Sequence, residues 1–301
     1  MAFDKGSLIA DRLNLIVEDL AGEENSLLDR VFPREETDRH KYTVDVMPST
    51  GLPKAQGKLA DGAPSQPRKA KLASVTGFID GRYEGSYSFS ESERRELENT
   101  NIRLERYARA AQADAAFNVD KDLASLLVNG TYFQSITRTG AAYTDVTAPF
   151  LKDLLAASKK LGRREDLIVI MGNDVADEVR FNDDVKAETS NYAAGFVDNT
   201  SLAQAVRSMG FRDLIMPGRG SDLGKNEQDG ITPVTLQYNF DGLVWIGRPD
   251  AVVNVELGTA GSGMHYMAQT KEWLLDYYRF IDIKAVLESK QGGAFIASPI
   301  G

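Results

Sequence analysis

Three stretches of the chain hold residue types that catalysis or ligand binding uses. Gly218-Arg219-Gly220-Ser221-Asp222-Leu223-Gly224 has the glycine density of a phosphate-cradling loop. Its spacing is not that of the dinucleotide fingerprint, and no Gly-Lys-Ser/Thr completes a P-loop, so it reads as a polar loop. Gly261-Ser262-Gly263 lacks the glycine that a nucleophile elbow carries two residues before its serine, because residue 260 is Ala. His265 is placed to orient a serine, yet its apolar, alternating surroundings read as an ordinary strand. His40 and His265 are the only histidines and there is no cysteine. Multi-histidine and thiolate metal sites within one chain, disulfides and cysteine nucleophiles are therefore excluded. The adjacent acids Asp183-Asp184 and Glu23-Glu24 read as solvated surface, and the sequence does not bring acids together as a glycosidase or metal site requires. Asn129-Gly130-Thr131 and Asn199-Thr200-Ser201 match the glycosylation pattern, which has no use in a chain without a secretory leader. No cofactor and no enzymatic activity are expected.

Composition narrows the class further. The 301 residues suffice for one large or two medium domains, with 42% hydrophobic and 26% charged residues, ordinary globular values. A net charge of -9 and a pI near 5.0 disfavour wrapping nucleic acid or binding an anionic membrane. No apolar run reaches the roughly 20 residues of a membrane helix. Met1-Ala2-Phe3-Asp4-Lys5 does not start like a signal peptide, which places synthesis in a cytoplasm. No internal repeat is visible.

The elements that would position any site are organised around residues 90–130. Ser90-Glu91-Ser92-Glu93 is a capping box in which the Ser90 hydroxyl accepts from the Glu93 amide and the Glu93 carboxylate reaches back to the Ser90 amide. Leu97, Leu104, Ala108, Ala111 and Ala115 then recur on one helical face. Glu91 precedes Arg95, and Glu105 precedes Arg109, by one turn in the favoured order. The pattern is unbroken up to Asn118, giving a helix of about 40 Å. A second helical piece with Leu123, Leu126 and Leu127 follows and stops at Asn129-Gly130.

Upstream, residues 7–21 read as an amphipathic helix in a segment (1–39) with ten acids and five bases. Residues 41–47 and 82–89 alternate as strands, the latter placing Tyr83, Tyr87 and Phe89 on one face. Between them residues 48–71 hold four prolines, three glycines and a net +4 from Lys54, Lys58, Arg68, Lys69 and Lys71 against Asp61. The whole reads as a long two-stranded excursion with a basic tip, and a tip of that kind is ordered by something it touches. Downstream, 131–147 is a polar connection. A helix starts at Thr147-Ala148-Pro149 and carries Leu151, Leu154, Leu155 and Leu161. Leu167 to Met171 is a buried strand, and Asn173-Asp174 starts a helix with Val175, Val179 and Phe181. Thr200 or Ser201 caps another helix that Gly210 ends, and 214–216 is strand-like. This order describes a compact α/β or α+β region over 148–260. Strands are expected at 231–238, 243–246, 251–257, 265–275 and 278–287, the last with one wet face.

This order of elements resembles the major capsid proteins of tailed double-stranded-DNA bacteriophages, the Hong Kong 97-type fold. Leu167-Ile-Val-Ile-Met171 followed by Asn173-Asp174-Val175-Ala176-Asp177 also resembles that family's strand-then-helix entry to its axial domain. The resemblance implies an α+β fold with an N-terminal arm (1–39), an extended loop (40–89) and a spine helix with peripheral domain (90–146). An axial domain (147–264) and C-terminal peripheral strands (265–301) complete it. It implies a subunit that assembles with itself through hexamers and pentamers into an icosahedral shell, enclosing duplex DNA without sequence-specific binding. Such a protein is part of a virion put together in the host cytoplasm, with portal, separate scaffold and optional decoration proteins as partners. The arm is too short to include the scaffolding segment of some relatives. The loop lysines have no recognisable Asn or Glu partner, so crosslinking between subunits is not expected. The basic loop residues Lys54, Lys58, Arg68, Lys69 and Lys71, and the arm acids Glu18, Asp19, Glu23 and Glu24, are the expected inter-subunit contacts, complementary in charge. An encapsulin-like nanocompartment enclosing enzymes is the nearest alternative. A soluble α/β enzyme and a small-oligomer scaffold are the others.

Overall fold

A single helix runs through two hydrophobic cores. The computed structural model describes residues 26–46, 73–99, 101–162, 164–189, 197–217, 240–258, 260–286 and 292–300. The expected helix at 7–21, the basic stretch 48–71, the loop at 218–230 and the expected strand 231–238 lie outside them. Helix α2 (Glu91–Asn99) begins with the capping box that the sequence predicts. The Glu93 amide donates to Ser90 Oγ (3.3 Å), and the Ser90 amide donates to Glu93 Oε2 (2.8 Å). Helix α3 (Asn101–Leu127) follows and spans 27 residues, about 40 Å. The expected division near Asn118 is absent. Leu104, Ala108, Ala111, Ala115, Val119, Leu123 and Leu127 form one continuous stripe, each 1% exposed or less. Asn118 itself faces solvent, where an asparagine does not interrupt a helix that is held by packing.

The alanine half of that stripe lets a sheet approach closely. Strand β4 (Tyr83–Phe89) and β10 (Gly261–Met267) flank β11 (Glu272–Arg279), all antiparallel. Phe89, Leu275 and Tyr277 pack on Leu104, Ala108, Ala111 and Ala115. At Gly85 the approach is backbone to backbone: a Cβ there would lie 1.9 Å from the Ala111 carbonyl oxygen. Two tyrosine hydroxyls on β4 fix the register, Tyr87 donating to Asp114 (2.8 Å) and Tyr83 to Asp122 (2.7 Å).

The leucine half fills a second core beneath a five-stranded mixed sheet. Its strands are β5 (Gln134–Thr137), β6 (Ile168–Met171), β7 (Asp213–Ile215), β8 (Val244–Gly247) and β13 (Gly293–Ala297), in the order β5-β13-β8-β6-β7. Both faces are covered, and alternate residues divide between them. Ile168, Ile170 and Trp245 face Val119, Leu123 and Leu127 together with Leu27, Leu28 and Phe32. Val169, Met171, Val244, Ile246, Ala294 and Ile296 face the other way. There they meet helices α4 (Phe150–Leu161), α5 (Asn173–Val179), α6 (Asp183–Thr189) and α7 (Asn199–Ser208). This two-sided burial is why Leu167 to Met171 reads as an unbroken apolar run.

The chain enters this body through helix α1 (Leu27–Val31) and strand β1 (Arg34–Thr37), which runs parallel to β9 (Val252–Leu257). Strand β12 (Ile281–Ala285) pairs with the other edge of β9. On the Val253 and Val255 side of β9 lies a hairpin of β2 (Lys41–Val46) and β3 (Ala73–Phe78), through Tyr42, Val75 and the following Ile79.

Several expectations are corrected here. The partner of β2 is β3, whose small residues hide its alternation; 83–89 belongs to the sheet of β10, β11 and β4 and not to the two-stranded excursion. The expected strand at 265–275 is two strands joined by a turn at 268–271, where Lys271 has φ 59°. Strands β5 and β13 fell in stretches read as connection and as peripheral strand, yet both complete the five-stranded sheet. Asp198, and not Thr200 or Ser201, caps α7, accepting from the Ser201 amide at 2.7 Å. Phe181 lies beyond the end of α5 and is 57% exposed. Asp184 of the presumed surface pair accepts from the Leu151 amide at the start of α4 (2.7 Å), and burial pushes its carboxyl above the usual range.

Because the Gly85 contact is with main chain that a helix cannot move, Gly85→Ala is expected to destabilise the protein by about 2 kcal/mol, an overpacking cost. Urea denaturation followed by circular dichroism measures it. Ser86→Ala on the exposed face of the same strand is the control and is expected to be near neutral.

Candidate functional site

Among the described residues no group of three or more His, Asp or Glu gathers at metal-ligand range. His265 is on β10, exposed, with Nε2 3.4 Å from Asp276 Oδ2, and Ser262 stands on the same strand three residues away. Asp276 lies diagonally across from His265, since His265 pairs with Leu274 and Asp276 with Gly263. Among the described residues a cluster of charged groups converges at the junction where the N-terminal segment meets the body.

That junction is ionic. Asn254 and Glu256 alternate with Val253 and Val255 on β9 and so point away from the hairpin, toward α1. Arg279 at the end of β11 reaches the same place. Its guanidinium donates to both carboxylate oxygens of Asp29 (2.6 and 2.9 Å) and to both of Glu256 (2.9 Å each). Arg34 of β1 adds a contact to Glu256 at 3.0 Å, and Asn254 Nδ2 donates to Asp29 at 3.2 Å. Two carboxylates and two guanidiniums leave the cluster neutral, and Glu256 is 1% exposed. Burial alone pushes the Asp29 carboxyl up; the Arg279 guanidinium, helped by Ser26 and Arg34, outweighs it and holds that group below its ordinary value. Two-pronged guanidinium–carboxylate pairs combine charge with geometry, which a lysine would not reproduce.

Beside it, Asp120 of α3 accepts from the Leu27 amide at 2.8 Å. Sequence reasoning missed all of these residues. The signals were an Asn and a Glu inside the apolar alternation of Val252 to Leu257, and an Asp next to the buried stripe between Val119 and Leu123.

Two other polar contacts pin neighbouring elements. Glu91 takes both prongs of Arg94 (3.0 and 2.8 Å) and the Trp273 indole N–H (2.7 Å), while the Arg94 guanidinium lies 4.9 Å over the Trp273 ring. Arg94 first, then Trp273, bring Glu91 down to about 2. At the hairpin, Tyr42 donates to Asp282 of β12 at 2.8 Å. Next to it the exposed Phe78 ring stands 6.0 Å from His40, which in turn meets Phe280 at 6.4 Å. The expected contact residues Lys54, Lys58, Arg68, Lys69, Lys71, Glu18, Asp19, Glu23 and Glu24 all lie outside the described residues. So does the loop of Gly218 to Gly224. No helix among the described residues is long and apolar enough to cross a membrane.

Removing Arg279 strands two carboxylates in an enclosed site. Arg279→Ala is expected to cost roughly 3 kcal/mol or more, and Arg279→Lys to recover only part of it. The Asp29 value is depressed, so its contribution is complete above the ordinary carboxylate value of 3.8 and is lost as pH falls through the folded-state value. Asp29→Asn therefore flattens the acid limb of the stability profile, which thermal melts between about pH 2.5 and 6 would measure.

Compared by sequence, the chain matches no protein-family model and no curated relative. Compared by structure, it matches across nearly its whole length. A phage-related protein from Bordetella bronchiseptica RB50 superposes with TM-score 0.64 at 9% identity, covering 97% of this chain and 96% of that one. A virus-like particle from Pyrococcus furiosus gives TM-score 0.57 at 11% identity, covering 95% and 98%. The mature capsid of bacteriophage PhiM1 gives 0.52 at 10%, covering 91% and 87%. With its long capped helical stretch, the antiparallel sheet packed on it and a helix-covered five-stranded sheet, the chain has the α+β fold of the tailed-phage capsid proteins, the Hong Kong 97 type.

Proposed function

We propose that this protein is the major capsid subunit of a tailed phage, assembling with itself through hexamers and pentamers into an icosahedral shell around duplex DNA. The observation that carries this reading is the extent of the structural likeness. It covers nearly the whole of this chain and most of each neighbour, one of them a mature capsid. Heterologous contacts between identical subunits close into rings of this kind. An arm and a loop that each bury surface on neighbours make many modest interfaces act together through effective concentration. The arm acids Glu18, Asp19, Glu23 and Glu24 and the loop bases Lys54, Lys58, Arg68, Lys69 and Lys71 meet across copies and set their register by charge. The net charge of -9 lets the shell enclose a genome without gripping it, because protein affinity for DNA comes largely from Lys and Arg on phosphates. Assembly takes place in the host cytoplasm, with a portal and a separate scaffold as partners.

A second reading has its own support: the virus-like particle from Pyrococcus furiosus shares the fold over 98% of its length. On that reading the shell is a nanocompartment and its contents are enzymes.

Negative-stain imaging of the expressed protein tests the shell itself: closed polyhedra or hexamer sheets are expected, and a uniform monomer or dimer contradicts both readings. The contents of shells purified from their natural source separate the two. Deleting residues 51–66 is expected to leave the circular dichroism spectrum of the subunit intact and to suppress closure; a globally unfolded product would place that segment in the subunit's own core. Duplex DNA is expected to bind the free subunit weakly, with little dependence on salt.

A further inference from the structure

At the root of the β2–β3 hairpin the fold assembles a row of rings that no single stretch of the sequence contains. Phe78, at the base of β3, is 58% exposed, the most exposed large apolar side chain among the described residues. The His40 ring stands 6.0 Å from it and 6.4 Å from Phe280, and Phe280 stands 5.7 Å from Tyr278. The Arg82 guanidinium lies 5.1 Å over Tyr278 and closes the row. Main chain holds it in shape: His40 Nδ1 donates to the Ile79 carbonyl at 2.7 Å, and the Ile79 amide donates to the His40 carbonyl at 2.9 Å. At the rim Arg82 is matched by Glu84 at 2.7 Å, which leaves the exposed Asp80 of the same turn as an acid without an ion pair among the described residues. Aromatic-lined surfaces of this kind receive polyproline II segments, which are already extended and lose little entropy on docking.

We propose that this row is the docking site for Pro64-Ser65-Gln66-Pro67 of a second copy of the chain, bound as a turn of polyproline II. Of the four prolines in residues 48–71 only these two are three apart. That spacing puts them on one face of a helix with three residues per turn, about 9 Å apart, so that both can pack on the rings. Arg68 and Lys69 follow directly and supply a basic flank for Asp80. The occupant is a second copy because of where the chain leaves the hairpin. Lys41 pairs with Phe78 at the base, and Val46 with Ala73 at the far end, about 17 Å away at 3.4 Å per residue. Residues 47–72 depart from that far end. To meet their own row they would have to double back along the whole hairpin. Carried outward, half of these 26 residues on each side span up to about 45 Å, far enough to lie on an adjacent copy. The docking rests on the shell reading and names the surface that the excursion meets on its neighbour.

The chain has no cysteine, so disulfide trapping has no background. Ser65→Cys marks the segment, and Thr76→Cys, exposed on the same face of β3 as Phe78, marks the row. When the two single variants of the full chain are mixed under assembly conditions and oxidised, the mixed disulfide is expected to exceed either symmetric one. The double variant is expected to give covalent multimers on a non-reducing gel. A monomer crosslinked within itself places the segment on its own row, and no disulfide between 65 and 76 removes the contact; either result overturns the proposal. Imaging of the same samples separates it from the shell reading. Particles without the disulfide contradict the docking alone, and the disulfide without particles contradicts the shell alone. Because the Phe78 side chain stands mostly outside the subunit's cores, Phe78→Ser is expected to leave the thermal melt unchanged. It is expected to raise the concentration needed for assembly roughly tenfold, the loss of one aromatic anchor, and Phe78→Tyr to restore it. Pro64→Ala combined with Pro67→Ala is expected to act alike, with no further loss in the Phe78→Ser background, since two sides of one contact do not add. Losses that add in full assign the prolines and the ring to different contacts and overturn the proposal.

Discussion

The structure depends on one helix face that changes size along its length. From Leu104 to Ala115 the buried stripe of α3 is mostly alanine, and from Val119 to Leu127 it is valine and leucine. Small residues bring the sheet of β4, β11 and β10 so near that a strand backbone touches the helix backbone at Gly85. Larger ones stand the five-stranded sheet off by the depth of Trp245, Phe133 and Phe32, whose rings pack edge to face at 5.6 and 5.9 Å. Two sheets at different depths are thus packed on one helix. Glycine serves the same end on the far sheet. Gly247 and Gly293 lie under the Trp245 ring, where a Cβ would come within 2.4 and 2.6 Å of it.

Charge closes what packing leaves open. The ends of α1, β9 and β11 come together where three elements from distant parts of the chain must agree, Asp29 and Arg279 being 250 residues apart. Apolar side chains there would tolerate several registers; a guanidinium held by two carboxylates tolerates one. The neutral sum of the cluster is what makes its burial acceptable, since the attraction must offset the desolvation of every member.

How legible this was from the sequence depended on whether the signal was local. The capping box, the Glu105–Arg109 pair at 3.1 Å and the strands at 168–171, 244–247 and 252–257 are set by neighbours in the chain, and the structure has them where the sequence placed them. Strand β3 was invisible, because Ala73-Ser-Val-Thr-Gly-Phe78 has too few large residues to alternate and is a strand only because β2 and β9 make it one. The same holds for β5 and β13, which gain their identity from a sheet assembled across the whole chain. The ionic junction was out of reach for a related reason: a charged residue in an apolar strand is visible, but its partner 23 or 250 residues away is not.

The roots of the two segments read as assembly elements are therefore built unlike their surroundings. The hairpin is held to the body by Tyr42 on Asp282, and the N-terminal segment by Asp29 on Arg279 and Asp120 on the Leu27 amide. These are directional, polar bonds to the strands and helix that form the cores, where nonpolar contact would have sufficed for adhesion alone. These bonds add direction to the apolar contacts that the same elements make, Leu27, Leu28 and Phe32 in one core and Tyr42, Val75 and Ile79 in another. A subunit that meets its neighbours through extensions needs such roots, because contacts made beyond them orient the body only if the attachment does not pivot.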